Sequence, residues 1–318
     1  MKSTRMEFMT SAAAAFAVPA AFAEGGDEAS LITPAENALL DKWQAETDLA
    51  TSELYGKYWR DGDTRSLASL EKLEAGFDKV LREARETVVT GDVPAVWSVY
   101  NMGFIVKTRT AMFSIDLLHR RSVEFAPYLD FALITHNHSD HWSQEFYGAM
   151  DRAGKTVVSN FLDNYGSADW KKPGASWHER GGYIRGVKEF DLKGVKIRTS
   201  LIDHNDYLID FTTAFEIKIG DFLLYHTGDS GSGTEPKLNT LWGRPDLWLF
   251  FPGCGIDVAK AVAKVGAKRI VFGHLWELAH KSGRLKAPLV RRALVKARPH
   301  CADVSFALWG DRLVHTYP

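Results

Sequence analysis

Cysteine is scarce: Cys254 and Cys301 are the only two in 318 residues, so no disulfide framework holds this chain together. One bridge at most can form, and two free thiols fit the count equally well. An excess of one charge is also missing. Lys and Arg total 39 against 40 Asp and Glu, a net charge of −1. A near-neutral chain lays no basic track for a phosphate backbone, which excludes nucleic acid as the expected partner and counts against a nuclease. No window after the N-terminus is apolar enough to span a bilayer, which excludes stable membrane insertion. Repeats and low-complexity stretches are absent past the N-terminus. What is there is 45% hydrophobic and 25% charged, an ordinary globular composition with enough length for a large core.

The first 23 residues read as a signal peptide. Lys2 and Arg5 form a short basic region, and "AAAAFAVPAAFA" is apolar, is interrupted by Pro19, and ends in Ala21-Phe22-Ala23. A small-x-small ending predicts cleavage before Glu24 and a periplasmic or secreted protein. "STRMEFM" resembles a twin-arginine signal with Met6 in place of the second arginine, so Sec and twin-arginine export both stay open. Removing the leader takes away Lys2, Arg5 and Glu7 and leaves the balance near neutral.

Residues 24–92 read as a helical N-terminal extension. In "TPAE", Thr33 suits an N-cap, Pro34 the first helical position and Glu36 the capping-box partner. The pattern predicts one helix to about Trp59, a break at "DGD" (61–63), and a second helix carrying Leu67, Leu70, Leu73, Phe77, Val80, Leu81 and Ala84 to about Glu86. Residues 93–318 are different in texture. "AVWSVY", "GFIVKT", "AMFSID" and "FALI" are short β-rich runs. Further strands are expected at 155–159, 194–201, 212–219, 221–226, 247–251 and 269–272, with helices at 143–152, 256–265 and 288–297. "VSFALW" and "RLVHTY" flank Gly310-Asp311 and predict a closing hairpin. Strands interspersed with helices mean an α/β fold whose sheets are covered on their outer faces.

Chemistry concentrates at "THNHSDHW", residues 135–142, which holds three of the chain's 11 histidines. It follows an apolar strand. Three other metal-capable residues also follow apolar strands: His204 in "RTSLIDHND", Asp229 in "FLLYHTGDSG" and His274 in "RIVFGHLW". Sites in such folds collect on loops at strand ends. In an extended loop, residues two apart point the same way, so His136 and His138 can hold one ion while Asp140 and His141 face a second. Imidazole suits zinc, and carboxylates help to neutralise a second divalent ion.

The ordered set H-x-H-x-D-H, a lone His, a G-D and a final His, each after a strand, resembles the metallo-β-lactamase superfamily over roughly residues 93–318. The resemblance implies a four-layer αββα sandwich with two divalent cations at one edge, zinc first and Mn2+ or Fe2+ as alternatives. One ion would take His136, His138 and His204, the other Asp140, His141 and His274, with Asp229 bridging. "YHTGDS" followed by "AKRIVFGHLW" looks most similar to the lactonase and phospholipase-D-like branch, which includes ascorbate-phosphate lactonases. Asp229 departs from the B3 β-lactamases and His138 from the flavodiiron proteins, whereas the cytosolic thioester substrate of glyoxalase II fits an exported chain poorly.

The expected chemistry is hydrolysis of a small-molecule lactone, ester or phosphoester. Paired cations bring the pKa of water from about 15.7 towards 7, and Asp140 is the catalytic candidate to orient that water or carry its proton. A phosphodiesterase is the second hydrolase reading, and a metal-bearing binding module with little turnover is a third. Plainer roles compete at single positions. His280 rivals His274 as the last ligand, and His226 reads as core or as a ligand support. Asp116 and Asp203 either orient ligand rings or only cap strands. Trp142, Tyr207 and Trp276 adjoin ligands but more often such rings pack. Cys254 reads as a small buried thiol, and Arg180 and Arg185 lie in a loop, 178–186, able to roof the site. The oligomeric state is not legible.

Overall fold

A computed structural model describes residues 31–65, 67–160, 187–278 and 286–314. The proposed leader, Arg180, Arg185, the 178–186 loop and His280 lie outside the described residues.

The N-terminal region contains three helices where the sequence spacing predicts two: α1 Pro34–Asp48, α2 Ser52–Asp61 and α3 Ala68–Glu86. The capping box forms as expected. Thr33 Oγ1 accepts the Glu36 amide (3.2 Å), and the Glu36 carboxylate accepts the Thr33 amide (2.9 Å). The single helix expected to reach Trp59 breaks at Leu49–Thr51, because Thr51 Oγ1 caps the Leu54 amide (3.2 Å) and starts a new helix. α3 buries Leu70, Leu73, Phe77, Val80 and Ala84 along one stripe, against β1 and β2. It supplies a helical layer over the first sheet.

That sheet has six strands in the order β13-β1-β2-β3-β4-β5: β1 Ala95–Ser98, β2 Phe104–Lys107, β3 Met112–Ile115, β4 Phe131–Leu133, β5 Thr156–Val158 and β13 Arg312–Val314. The second has seven, in the order β12-β11-β10-β9-β8-β7-β6: β6 Glu189–Leu192, β7 Val195–Ile202, β8 Thr212–Ile219, β9 Phe222–His226, β10 Leu247–Phe250, β11 Arg269–Phe272 and β12 Asp303–Phe306. β6, an edge strand with exposed Glu189 and Asp191, carries too little apolar signal to be read from sequence.

Alternation along the strands separates two cores. Val96, Phe104, Val106, Phe113, Phe131 and Leu133 face Ile197, Phe215, Ile217, Leu224, Leu249 and Val271 between the sheets. The opposite faces, including Trp97, Ile105, Ala132, Trp248, Phe250 and Ile270, pack under the helices. Each buried Val, Leu, Ile or Phe among them contributes about 1.5–3 kcal/mol of transfer free energy. The remaining α-helices among the described residues are α4 Gln144–Arg152, α5 Val258–Val265 and α6 Ala287–Ala297. Beyond α6, Arg298 makes a buried ion pair with Glu36 of α1, and α6 itself packs against α5 and α1.

The expected closing hairpin does not form. β12 pairs parallel with β11 in the second sheet, and β13 pairs antiparallel with β1 in the first. The chain crosses between sheets at Gly310-Asp311 because β1 takes both sides of the turn: Gly310 N donates to Ser98 O (3.0 Å) and Ser98 N to Asp311 O (2.9 Å). Among the described residues, no helix is long and apolar enough to cross a membrane.

Candidate metal centre

Strand direction determines where the ligand candidates meet. β3, β4 and β5 run parallel, as do β9, β10, β11 and β12. β7 and β9 are both antiparallel to β8, so β7 points with β9. The exits of β4, β7, β9 and β11 therefore lead to 136–141, His204, Asp229 and His274. The two sheets are joined there, since Thr213 N at the start of β8 donates to Thr135 O beyond β4 (2.8 Å).

All seven side chains named from the sequence converge. His136, His138 and His204 bring ligand atoms within 4.8 Å of one another; so do Asp140, His141 and His274, and so do His136, His141 and Asp229. Ring centroids are 4.7 Å apart for His136–His138, 4.6 Å for His138–His204 and 5.1 Å for His141–His274. Asp229 sits between the groups. Its oxygens lie 3.2 Å from His141 Nε2 and 3.6 Å from both His204 Nε2 and His274 Nε2. Asp140 Oδ2 is 3.0 Å from His274 Nε2.

The backbone is bent to achieve this. Among the described residues, four of the six non-glycine residues with positive φ adjoin the centre: Asn101 (51°), Asp116 (45°), Cys254 (46°) and His274 (60°). Such geometry costs on the order of 1–3 kcal/mol per residue and persists only where its surroundings hold it. Asn101 does part of that holding. Its Nδ2 donates to Asp140 O (3.2 Å), and its carbonyl accepts the His274 amide (3.1 Å). Gly228 (φ 48°) is needed because a Cβ there would stand 2.7 Å from Thr135 Oγ1.

Asp116, at the exit of β3, orients the rings. Its Oδ1 accepts the Thr135 amide (2.7 Å), while Oδ2 accepts the Thr135 hydroxyl (2.6 Å) and His141 Nδ1–H (2.9 Å). With its proton given to Asp116, Thr135 Oγ1 accepts His136 Nδ1–H at 3.0 Å. In their neutral forms both rings thus carry the proton on Nδ1 and turn the Nε2 lone pair inward, as a metal-binding imidazole requires. Phe251 stacks on His274 at 4.6 Å, and Phe211 lies 5.2 Å from His138.

The donor set fits divalent cations. Buried His136 Nε2, His141 Nε2, His204 Nε2 and Asp229 Oδ1 make no hydrogen bond, although His141 Nε2 and Asp229 Oδ1 are close. Leaving such atoms unpaired costs about 1–3 kcal/mol each, so their clustering at one point calls for a shared positive partner. Protonation equilibria agree. Burial, and then the neighbouring imidazoles His141 and His138, hold His136 well below the usual histidine range. Burial also lowers His204. For His141, burial is outweighed by Asp229 and Asp116, and its pKa is pushed up; His274 is raised in the same way by Asp229 and Asp140. Burial of Asp229 is outweighed by His141 and His274, which keep its carboxyl low.

No family model matches this sequence, and no curated protein matches it. Solved structures do. A metallo hydrolase from the hyperthermophilic archaeon Ignicoccus hospitalis aligns at TM-score 0.54 and 17% identity, over 71% of this chain and 100% of that one. The chain has the metallo-β-lactamase fold. An isothiocyanate hydrolase from Delia radicum gut bacteria aligns at TM-score 0.51 and 13% identity, over 70% of this chain and 100% of that one. CmlA, a diiron β-hydroxylase from Streptomyces venezuelae, aligns at 0.51 and 14%, over 71% of this chain and 55% of that one. Identities this low show the fold alone.

Within this metallo-β-lactamase sandwich the remaining candidates separate. Asp116 orients His141, whereas Asp203 braces a loop: its Oδ1 accepts the Asp210 amide (2.8 Å) and Lys237 Nζ (2.6 Å). His226 is a core residue, with Nδ1 accepting the Gly228 amide (3.2 Å) and Nε2 facing Met102 O (3.3 Å). Trp276 is buried against Trp43 (5.5 Å) and donates to Ala307 O (3.2 Å). Trp142 is half-buried and donates to Asn137 O (3.2 Å), while Tyr207 is 92% exposed. Cys254 and Cys301 are both free thiols, and burial, then Asp229 and Asp140, push the Cys254 pKa up. Thr135, Asn101 and Phe251 were not singled out from the sequence. A strand-exit threonine beside the first histidine is the one signal among them that strand–loop reading offers.

Proposed function

We propose that this chain is an exported metal-dependent hydrolase of small molecules, acting on a lactone, ester or phosphoester. Export rests on the leader-like residues 1–23. The observation that carries the hydrolase reading is the convergence of five imidazoles and two carboxylates, with His136 Nε2, His141 Nε2, His204 Nε2 and Asp229 Oδ1 among them buried without a hydrogen bond. His136, His138 and His204 would hold one divalent cation, Asp140, His141 and His274 a second, and Asp229 both. Bound there, such cations supply Lewis acidity and bring the acidity of water near neutral pH.

The chain's own residues do the rest. Asp116 and Thr135 keep the Nδ1 protons of His141 and His136, so neither ring turns its proton towards the substrate. Asp140 is the most exposed carboxylate at the centre, with a side chain 13% exposed against 7% for Asp229. On this reading it takes the proton of the attacking water and returns it to the leaving group. His274 Nε2 and Asp140 Oδ2 approach to 3.0 Å, near enough for one cation to take both.

The test is turnover of the zinc-loaded protein on lactone, aryl-ester and bis-aryl-phosphate panels. Hydrolysis of a lactone or ester is expected, falling about 10²–10⁴-fold in Asp140→Asn. Preference for the diester would make the protein a phosphodiesterase. Inactivity on all three, or an Asp140→Asn variant as active as the wild type, would contradict the reading and leave a binding module.

A further inference from the structure

We propose that Cys254 is an eighth donor to the metal centre, a thiolate ligand supplied by the exit of β10. The proposal rests on the metal-centre reading above. The Cys254 sulfur, a nitrogen of His204 and a carboxylate oxygen of Asp229 lie within 4.8 Å of one another. One cation can gather such a set, given zinc–sulfur bonds of about 2.3 Å and zinc–nitrogen bonds of about 2.0–2.1 Å. The two residues grouped with Cys254 each carry an atom without a hydrogen-bond partner. His204 Nε2 and Asp229 Oδ1 are buried without a hydrogen bond, in residues only 8% and 5% exposed.

The three strand exits are locked so as to hold the sulfur there. Ser232 N donates to Cys254 O (3.0 Å), and Gly231 N donates to Asp203 O (2.8 Å). Gly231 has no room for a side chain, since a Cβ would stand 1.7 Å from His204 O and 2.8 Å from Cys254 O. Loops from β7, β9 and β10 therefore meet backbone to backbone. The other thiol is placed differently: Cys301 Sγ–H points at the carbonyls of Ala267 (3.4 Å) and Asp303 (3.5 Å).

Coordination would form a sulfur–metal bond and release the thiol proton to solvent, with no change of oxidation state. A thiolate biases the centre towards zinc and away from magnesium, calcium and manganese.

The experiment is a Co2+ titration of the full chain after metal removal, followed by absorption. Visible ligand-field bands are expected together with a near-ultraviolet sulfur-to-cobalt charge-transfer band. Cys254→Ser should lose only the near-ultraviolet band, and Cys301→Ser should lose neither. If Cys254→Ser fails to fold, X-ray absorption at the cobalt edge of the wild type decides: a sulfur neighbour in the first coordination shell is expected, and a shell of nitrogen and oxygen alone overturns the thiol ligand. Visible bands without the near-ultraviolet band overturn the thiol ligand and leave the histidine centre standing. Absence of any cobalt spectrum overturns both.

Discussion

The loop after β4 carries four donors within six residues, His136 to His141, whereas the second sheet places one donor at each of three strand ends. Chain connectivity brings the first set together, and Asp116 and Thr135 then set its rings. The second set depends on strand order: His204, Asp229 and His274 meet only because β7, β9 and β11 share a direction and end together. Asp229 joins the two halves, lying within 3.6 Å of His141 from one and of His204 and His274 from the other. The first half is thus a local cluster of candidate ligands, and the second is a readout of the folded sheet.

Breaking the joint should have the largest effect at the centre. Removing an outer partner of a ligand costs about 10–100-fold in metal affinity. Asp229→Ala should exceed that and lower the bound metal measured by elemental analysis. The local half is tested next by Asp116→Asn, which tolerates the positive φ at this position. It should weaken metal binding about 10–100-fold in a chelator competition, mainly at the His141 side. Gly231→Ala tests the scattered half without touching a donor. Overpacking of this kind costs about 1–3 kcal/mol, so its denaturation midpoint should fall, with a smaller loss of metal affinity.

The smallest effect at the centre is expected from Glu36→Ala, far from both halves. It strands the buried Arg298 charge and should destabilise the fold by about 3–5 kcal/mol while leaving metal content unchanged. Burial tends to raise the Glu36 carboxyl, but Arg298 and Thr33 outweigh it and hold it below its ordinary 4.5. A depressed folded-state pKa gives stability that is present above about 4.5 and lost as pH falls through the folded value. Acid melting below that pH should therefore reflect this pair in the wild type and not in the variant.

The same contrast explains what was legible in the sequence. Contiguous donors after an apolar strand are visible without a structure, and so are single donors after strands once the strand ends are located. Supports are not visible. Asn101 reaches Asp140 and His274 across the fold, and Phe251 lies against His274 from β10, with nothing local to mark either. The break between α1 and α2 was written as Thr51 capping Leu54, a weak signal inside a periodic stretch. The crossing at Gly310 was not legible, because a turn dipeptide between two strands reads the same whether they pair with each other or join different sheets. Which sheet each strand joins is decided by partners, β11 and β1, distant in the chain.

The most direct measurement is anomalous diffraction at a metal edge from crystals of the zinc-loaded protein. Two peaks are predicted, one about 2.0–2.3 Å from donor atoms of His136, His138 and His204, the other at that distance from Asp140, His141 and His274, with Asp229 reaching both. A structure without a peak there, or with His204 and Asp229 turned away from the 136–141 loop, would contradict the account.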